Sequence, residues 1–568
     1  MPNLIIRDLG AVGVVTDANP YDLPSNAFSN CNNVIFDEGR VQRSPVFKQL
    51  YPAARSSLTF AAASGTFADN SNTFENAQGG AVDSVRFVGS YADPSAGEVV
   101  FVCDNDSTIR AYPNGTLVFQ TPTTGVVTNE EPWTHSQVAG LSILARKGMH
   151  PYARNLSSGT VYSTTFGDWG TNDTAAVVRS YLDFIITLNI TKSTTEYPTM
   201  VKWCDPVQYG QSLSTLKWDP ADTTSSAGEN IIAELKTGIR DGLVLGNSFV
   251  IYAQDQVWLM EFTGSSAVFN FRRLFPSGGV INTNCVVEVE GKHFVFGEDD
   301  IYLHDGVNRK SIADKRVRRK VFQALDRTRR KRFFVTHDSV SNLIYFNYAT
   351  VADEANFRGT SFCNRSAIYN YREDTWSFMD LPNVAGGAEA NITLSTNQYD
   401  QDLGSYSSYN TGYTSFETTT PKLPIMLGVT DTGNSLTESR VYALDLPTIG
   451  VVNLPAHVET LKEAFVERIG IDLDESGSPL RQYKMIKSIV PQAEFATSDQ
   501  TLSFKVGSSD LPGADTVWRT TYEYKPSEQY KIDTNAAGRY LAYRLSMNDV
   551  VNFKFSGFDV EVQPLSRR

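Results

Sequence analysis

The feature that most constrains this chain is a recurrence of short strands between turn signals, beginning at Val82 and running for more than half the sequence. One set covers residues 85–88, 99–103 and 108–111 and ends in the turn Pro113-Asn114-Gly115. A second covers 243–251, 256–262 and 269–274. The third is the clearest: 285–289, a turn at Glu290-Gly291, 293–296, then 301–304 followed by Asp305-Gly306. A fourth joins 333–337, 343–348, 367–371 and 375–379. Meanders of three or four strands with turn residues at their joints are the signature of propeller blades, here with a period too variable for a WD40 or kelch repeat. The expectation is an all-β protein with an irregular β-propeller; a stack of sandwiches and a β-helix are the competing architectures.

Composition agrees. Tyr 26 and Phe 32 supply strand formers, Gly 40 and Pro 24 supply turns, and helical heptads are scarce. The expected organisation has three parts: an N-terminal extended segment with an insertion loop (1–81), a propeller-like body with insertions (82–454), and a C-terminal antiparallel β-sandwich-like domain (455–568). Within the last, Phe465, Ile469, Ile471 and Leu473 alternate with mostly polar neighbours, as do Leu502, Phe504 and Val506. Residues 458–467 also suit a helical face. Residues 53–81 and 388–420 read as long Ser/Thr/Asn/Gly insertions, mobile or used at an interface.

Asp+Glu 63 against Lys+Arg 50 gives a net charge of −13, which argues against general nucleic-acid binding, since phosphate affinity needs a basic surface. An acidic wall remains suitable for passing DNA without retaining it. Five scattered cysteines leave an odd one after any pairing and point to synthesis in a reducing cytoplasm. The start MPNLIIRDLG lacks the pattern of a signal peptide, and no apolar run has the length of a membrane span. Asn155-Leu-Ser157 and Asn189-Ile-Thr191 are then chance matches to a glycosylation triplet.

Catalytic motifs are missing. Phosphate-cradling glycine loops, a nucleophile elbow and His-Glu-x-x-His do not occur, and His 6 with no Cys-x-x-Cys makes zinc improbable. No cofactor is expected. His293 and His304 flank one hairpin and read as core or surface histidines before they read as ligands. Asp472 to Gly477 imitates half of a calcium loop, but its twelfth position is Tyr483, so an acidic turn is the better reading. SSDLPGADTVW (508–518) resembles the Asp-box hairpin of sialidase-like propellers, with the spacing broken by Pro512 and Asp515. A plain turn accounts for it.

One charge feature stands out. Residues 309–332 carry twelve basic side chains against Asp314 and Asp326. Val317, Val321 and Leu325 recur every fourth residue, predicting a short helix from near Asp314 with one apolar face on a blade. Its cationic face, with Lys315, Arg316, Arg318, Arg319, Arg329, Arg330 and Arg332, is a solvated surface, a seam to an acidic neighbouring subunit, or a phosphate contact with passing DNA.

The segment NPYDLPSNAFSNCNNVIFDEGRVQRSP (19–45) resembles the opening of the tail nozzle proteins of short-tailed bacteriophages, also called tail tubular protein B. Further segments are similar in the same order: YPTMVKWCDP (197–206), GEDDIYLHDG (297–306), AIYNYREDTWSFMDLP (367–382) and GRYLAYRLSMNDVVNFKFSGFDVEVQPLSRR (538–568). The resemblance implies a non-enzymatic structural subunit located in the virion tail. Six copies would form a tube hung from a tail adaptor ring, with tail fibres docking where the rings meet. Genomic DNA would be held in the lumen without sequence specificity and conducted during ejection, with no stable membrane insertion. The alternatives are a carbohydrate-binding or glycan-hydrolysing propeller acting on a host surface, and a kelch-like scaffold. Trp203 is expected in a blade interface, Trp376 and Phe378 on one blade face, and Gly557 at a bulge in the last strand.

Overall fold

The computed structural model describes residues 3–52, 85–105, 107–115, 118–122, 127, 129–265, 267–351, 362–392, 394–395, 418–428, 440–446, 463–472, 482–495, 500–511, 514–548 and 552–565. The segments expected as long insertions lie mostly outside these residues, as does nearly all of the calcium-like stretch after Asp472.

Among the described residues, six antiparallel meanders follow one another along the chain, at residues 85–119, 134–155, 174–231, 239–275, 286–311 and 334–391. A sheet must bury its faces, and here each face is buried against the next sheet. Tyr91 and Phe101 of the first pack with Leu144 and Tyr152 of the second, and Ile143 of the second with Ile185 of the third. Ile186 and Trp203 of the third meet Phe249 and Met260 of the fourth. Tyr252 continues to Tyr302, and Phe296 to Phe346 of the sixth. Val88 and Val100 then pack with Ala385 of the sixth, returning to the start. The circuit is closed, and the body is an irregular β-propeller.

Each expected blade exists, with informative differences. Residues 243–251 are not one strand: Ile239–Leu245 and Ser248–Ala253 are a hairpin around Gly246, whose φ is +58°. That two-residue turn was hidden by apolar residues on both sides. The second and third blades, 134–155 and 174–231, fell outside the four sets read from the sequence. Trp203 does sit between blades, edge-on to Phe269 at 5.1 Å, with its indole N–H donating to Ser226 O at 2.8 Å. Trp376 and Phe378 are both buried.

The C-terminal unit is a two-sheet sandwich whose layers meet through Phe504 with Phe555 and Tyr543 with Phe558. Ala464–Ile471 is a strand with strict buried/half-buried alternation, which settles Ala464 to Glu467 as strand rather than helix. Gly557 lies beside a register shift in the last strand, and a Cβ there would come within 2.2 Å of Ile6 O on the neighbouring strand. The glycine is required by that close approach.

The expected boundary after residue 81 does not separate sheets. Asn3–Ile6, Val34–Asp37 and Arg40–Arg43 belong to one sandwich sheet, Asn30–Asn32 to the other, and Phe47–Pro52 closes the seven-stranded sheet of the sixth blade. Strands of alternating pattern cannot remain single, because each would leave a row of unpaired peptide groups. The N-terminal arm finds its partners some 390 to 560 residues further along the chain.

Asn33 anchors this arm. It takes φ +53°, which asparagine tolerates better than most residues. Its N–H donates to Phe378 O (2.7 Å), its side-chain NH2 donates to Asp380 Oδ2 (3.3 Å) and Glu463 O (3.2 Å), and its side-chain oxygen accepts from Asp380 N (2.9 Å). Asp380, buried, also accepts from Asn32 at 2.7 Å and pairs with Arg365 at 3.1 Å. The Asn-rich turn of the opening motif is thus the joint between sandwich and propeller.

Candidate functional site: the propeller axis and its charged mouth

The blades' first strands are mostly apolar, but most of them or the residues just before them carry a polar group toward the axis. On the third blade this is Arg179, which donates from Nε and Nη2 to the Asp241 carboxylate of the fourth (3.0 and 3.1 Å), from Nη2 to Asn284 Oδ1 (2.9 Å), and from Nη1 to His135 O of the second (3.2 Å). Asp241 is wholly buried and accepts further from Asn284 N at 2.7 Å. Asn284 donates its side-chain NH2 to Trp133 O (2.8 Å), and its carbonyl accepts from Val335 N of the sixth blade (2.8 Å). One network therefore ties the second, third, fourth and sixth blades to the entry of the fifth. Burial, with Arg179 adding to it, pushes the His135 imidazole down to about 3, so this end of the axis holds a neutral histidine.

Above it is a cavity of about 280 Å³. Gly89, Ala385, Gly386 and Gly387 contribute to its lining; a Cβ at Gly387 would lie 2.5 Å from Thr336 Oγ1. Arg86, Arg332 and Lys331 line it as well. The Arg86 and Arg332 guanidiniums lie over the Phe362 ring, at 5.0 and 4.5 Å from its centre. Glu130 reaches both from the solvent side, at 3.3 and 3.8 Å, and Lys331 pairs with Glu131 at 2.6 Å.

The basic stretch meets this mouth. Arg318–Ala324 is the expected helix, one turn shorter at its start, and Val317, Val321 and Leu325 are buried as the stripe predicted. Arg327–Arg332 is a 3₁₀ turn whose N-cap Asp326 accepts from Thr328 N. Its cations are largely compensated by acids of this chain. Arg316 pairs with Asp374 (3.0 Å), and Arg318 with Asp314 (3.8 Å) and Asp300 (4.0 Å). Arg329 pairs with Asp326 (3.2 Å) and Arg330 with Glu298 (3.9 Å), a carboxylate also held by Arg240 at 2.8 Å. Lys315 and the Arg319 side chain are exposed, while the Arg319 N–H donates to Asp17 Oδ2 of the N-terminal arm.

His293 and His304 do converge, and Tyr252 lies between them. The His293 Nε2 faces Val244 O (2.7 Å), which can only accept, so Nε2 carries the proton and Nδ1 accepts from the Tyr252 hydroxyl (2.7 Å). His304 Nδ1 accepts from Gly306 N (3.3 Å), leaving its Nε2–H to donate to Tyr252 at 2.5 Å. The chain of donors is satisfied only with both rings neutral. Burial accordingly pushes His293 down to about 4 and His304 to about 3. Among the described residues no group of three His, Cys, Asp or Glu is placed to hold a metal ion, and no helix is long and apolar enough to cross a membrane. Of the segment 508–518, its first two residues end the strand Leu502–Ser509 and its last two begin the antiparallel partner Val517–Tyr524, while Pro512 and Gly513 lie outside the described residues.

Arg86, Phe362, Arg179, Asp241 and Asn284 were not singled out from the sequence. A pattern exists in hindsight: Arg86, His135, Arg179, Asp241 and Asn284 stand in or just before the first strands of the first five blades.

The class defined by this architecture is an all-β protein with a closed propeller and a sandwich built from both ends of the chain. No family model matches the sequence, and no curated protein matches it. Similar solved structures include the β-propeller domain of Cps50 (Swd1) from Myceliophteria thermophila, at 10% identity over 54% of this chain and 90% of that one, TM-score 0.32. The computationally designed Ika8 protein is similar at 6% identity over 56% of this chain and 94% of that one, also with TM-score 0.32. Likeness this low carries no functional argument.

Proposed function

We propose that this chain is a non-enzymatic structural subunit of the tail nozzle of a short-tailed bacteriophage, assembling as a six-fold ring that retains and then conducts DNA. Two things support the reading: the ordered resemblance of five segments, and the state of the propeller axis. The observation that carries most weight is that the axial carboxylates Glu130, Glu131 and Asp241 each lie against an arginine or lysine of the same chain. A glycosidase needs two carboxylates set across a cleft, one of them free to give a proton. Carboxylates neutralised within the chain suit a scaffold better.

In this reading the DNA path lies between subunits, because the Arg179 network spans the propeller axis. Ring closure requires a heterologous interface, with different surfaces of each copy in contact. Lys315 and Arg319, exposed on the basic stretch, are the groups of the expected seam left to meet a neighbour. The test is cryo-EM of the particle encoding the chain, or of the purified protein mixed with its tail adaptor. Density forming a six-fold ring around the tail axis is expected. A peripheral or monomeric position overturns the reading and makes glycan-binding and hydrolysis assays the next measurement.

A further inference from the structure

Among the described residues, fifteen other than glycine have positive φ, and fourteen of these are polar, charged or alanine. The exception is Leu182, at φ +52° and 53% exposed, in the two-residue turn between Thr174–Tyr181 and Phe184–Lys192. A left-handed backbone and an apolar side chain in water are each unfavourable for leucine, and strain kept at such a position points to a contact. Phe262, 47% exposed, is beside it: its N–H donates to the Tyr181 hydroxyl (3.3 Å), and its ring lies 5.8 Å from that of Phe184. On the other side Val207 N–H donates to Asp183 O at 2.7 Å. Two residues on, exposed Tyr209 packs over Gly140, where a Cβ would come within 3.1 Å of the ring. Leu182, Phe262 and Tyr209 thus form a projecting knob at the strand ends opposite the axial mouth. Asp183, exposed in the same turn, has no ion-pair partner among the described residues.

At the mouth end of the strands is a groove of about 630 Å³ between the basic helix, the N-terminal arm and the sandwich. Ala324, exposed Val351 and Ile469 give it apolar surface, and Arg319 lines it as well. Its own acids are occupied: Asp17 accepts from Arg319 N–H, and Glu467 pairs with Arg544 at 3.4 Å. The Lys315 and Arg319 side chains are exposed and make no ion pair with the described residues.

We propose that the knob of one copy seats in the groove of the next, with Asp183 meeting Lys315 and Arg319. An apolar centre with opposite charges at its margin is the usual composition of a specific interface. The seam so drawn rests on the nozzle reading and gives its ring two distinct surfaces, as a heterologous contact requires. The knob spans the third and fourth blades and the groove lies by the fifth and sixth, so they are two blades apart, about 120° around the axis. Each copy in a ring of six also sees its two neighbours about 120° apart.

The experiment uses two pools of the full-length protein, one carrying Leu182→Cys and the other Gln323→Cys, a residue lining the groove. The five native cysteines are buried. Under mild oxidation a disulfide-linked product is expected in the mixture and in neither pool alone. By sedimentation velocity, Leu182→Gly should weaken self-association at least about tenfold, as loss of a central apolar contact does. The same variant should unfold at an equal or higher temperature, because glycine takes a positive φ without strain. A residue serving the fold alone would not move the two readouts apart. Asp183→Lys should weaken association as well, and Arg319→Asp in the partner pool should restore it. A monomer at every concentration, cross-linking within a single pool, or unchanged association in Leu182→Gly overturns the seam. A six-fold ring without the cross-link also overturns it and leaves the nozzle reading standing; the cross-link in an assembly of another symmetry supports the seam and overturns the nozzle.

Discussion

The axial network and the basic rim are made from the same residue types at similar distances, and they differ in burial. Arg179 and Asp241 approach to 2.8 Å with side chains 13% and 0% exposed; Lys331 and Glu131 approach to 2.6 Å with side chains 59% and 27% exposed. In the first, the guanidinium reaches the second and fourth blades and the entry of the fifth, so the pair acts as a joint. In the second, water competes for both partners. Charge density along a sequence therefore indicates where ions are, and burial decides which of them hold the fold.

The largest effect should follow from breaking the buried pair. Asp241→Asn leaves Arg179 enclosed without its counter-charge and should cost about 3–5 kcal/mol in denaturant unfolding. Arg179→Met/Asp241→Leu, which removes both charges, should cost markedly less. A double variant as damaging as Asp241→Asn would show that the peptide hydrogen bonds to Asn284 and His135, rather than the ion pair, carry the joint.

Next in size is the arm anchor. Asn33→Ala places a Cβ-only residue at φ +53° and leaves Asp380 short of a donor, which should cost about 2–4 kcal/mol. Limited proteolysis should then release the N-terminal arm before the propeller is cut. Retained protection at wild-type stability would show that the strand pairing of Asn3–Ile6 and Phe47–Pro52 alone holds the arm.

These two cases also show how much was legible. Blade strands with apolar alternation and Gly- or Asp-rich turns declared themselves, as did the helix stripe Val317, Val321 and Leu325, because periodicity is local. The Asn-rich opening was visible as a motif, but its role was not, since its partners Phe378, Asp380 and Glu463 are more than 340 residues away. The Gly246 hairpin was lost between two apolar runs. The axial site was illegible for the same reason as the arm: Arg86, Arg179, Asp241 and Asn284 come together only when the ring closes, and each alone is an ordinary polar residue in or just before a strand. The basic run was conspicuous because its charges are contiguous, and its compensating acids, Glu130, Glu131 and Glu298, are not.

A third test sits between the two extremes. His293 and His304 are buried and neutral, with pKa values pushed down to about 4 and about 3 from an ordinary 6.5. The unfolded chain takes up protons on these rings as pH falls below about 6.5 while the folded chain does not, so stability is fully present above that pH and declines through the interval down to about 4. Each ring contributes a slope of up to ~1.4 kcal/mol per pH unit. His293→Gln/His304→Gln should lower stability at pH 7.5, through the broken bonds to Tyr252, and flatten the decline between pH 6.5 and 4. The residual slope comes in part from His135 and His337, which burial also pushes down. An unflattened profile would place the acid sensitivity elsewhere than in the Tyr252 chain.

The smallest effect belongs to the rim. Lys331→Met removes a cation that is more than half exposed and paired at 2.6 Å with Glu131, and exposed pairs contribute about 0–1 kcal/mol. The change in unfolding free energy should be below about 1 kcal/mol and should fade between low ionic strength and 0.5 M salt, where the screening length shortens to a few ångströms. A stability loss of several kcal/mol that persists at high salt would mean that this solvated pair behaves like the buried Arg179–Asp241 pair, and that burial does not decide which ions hold the fold.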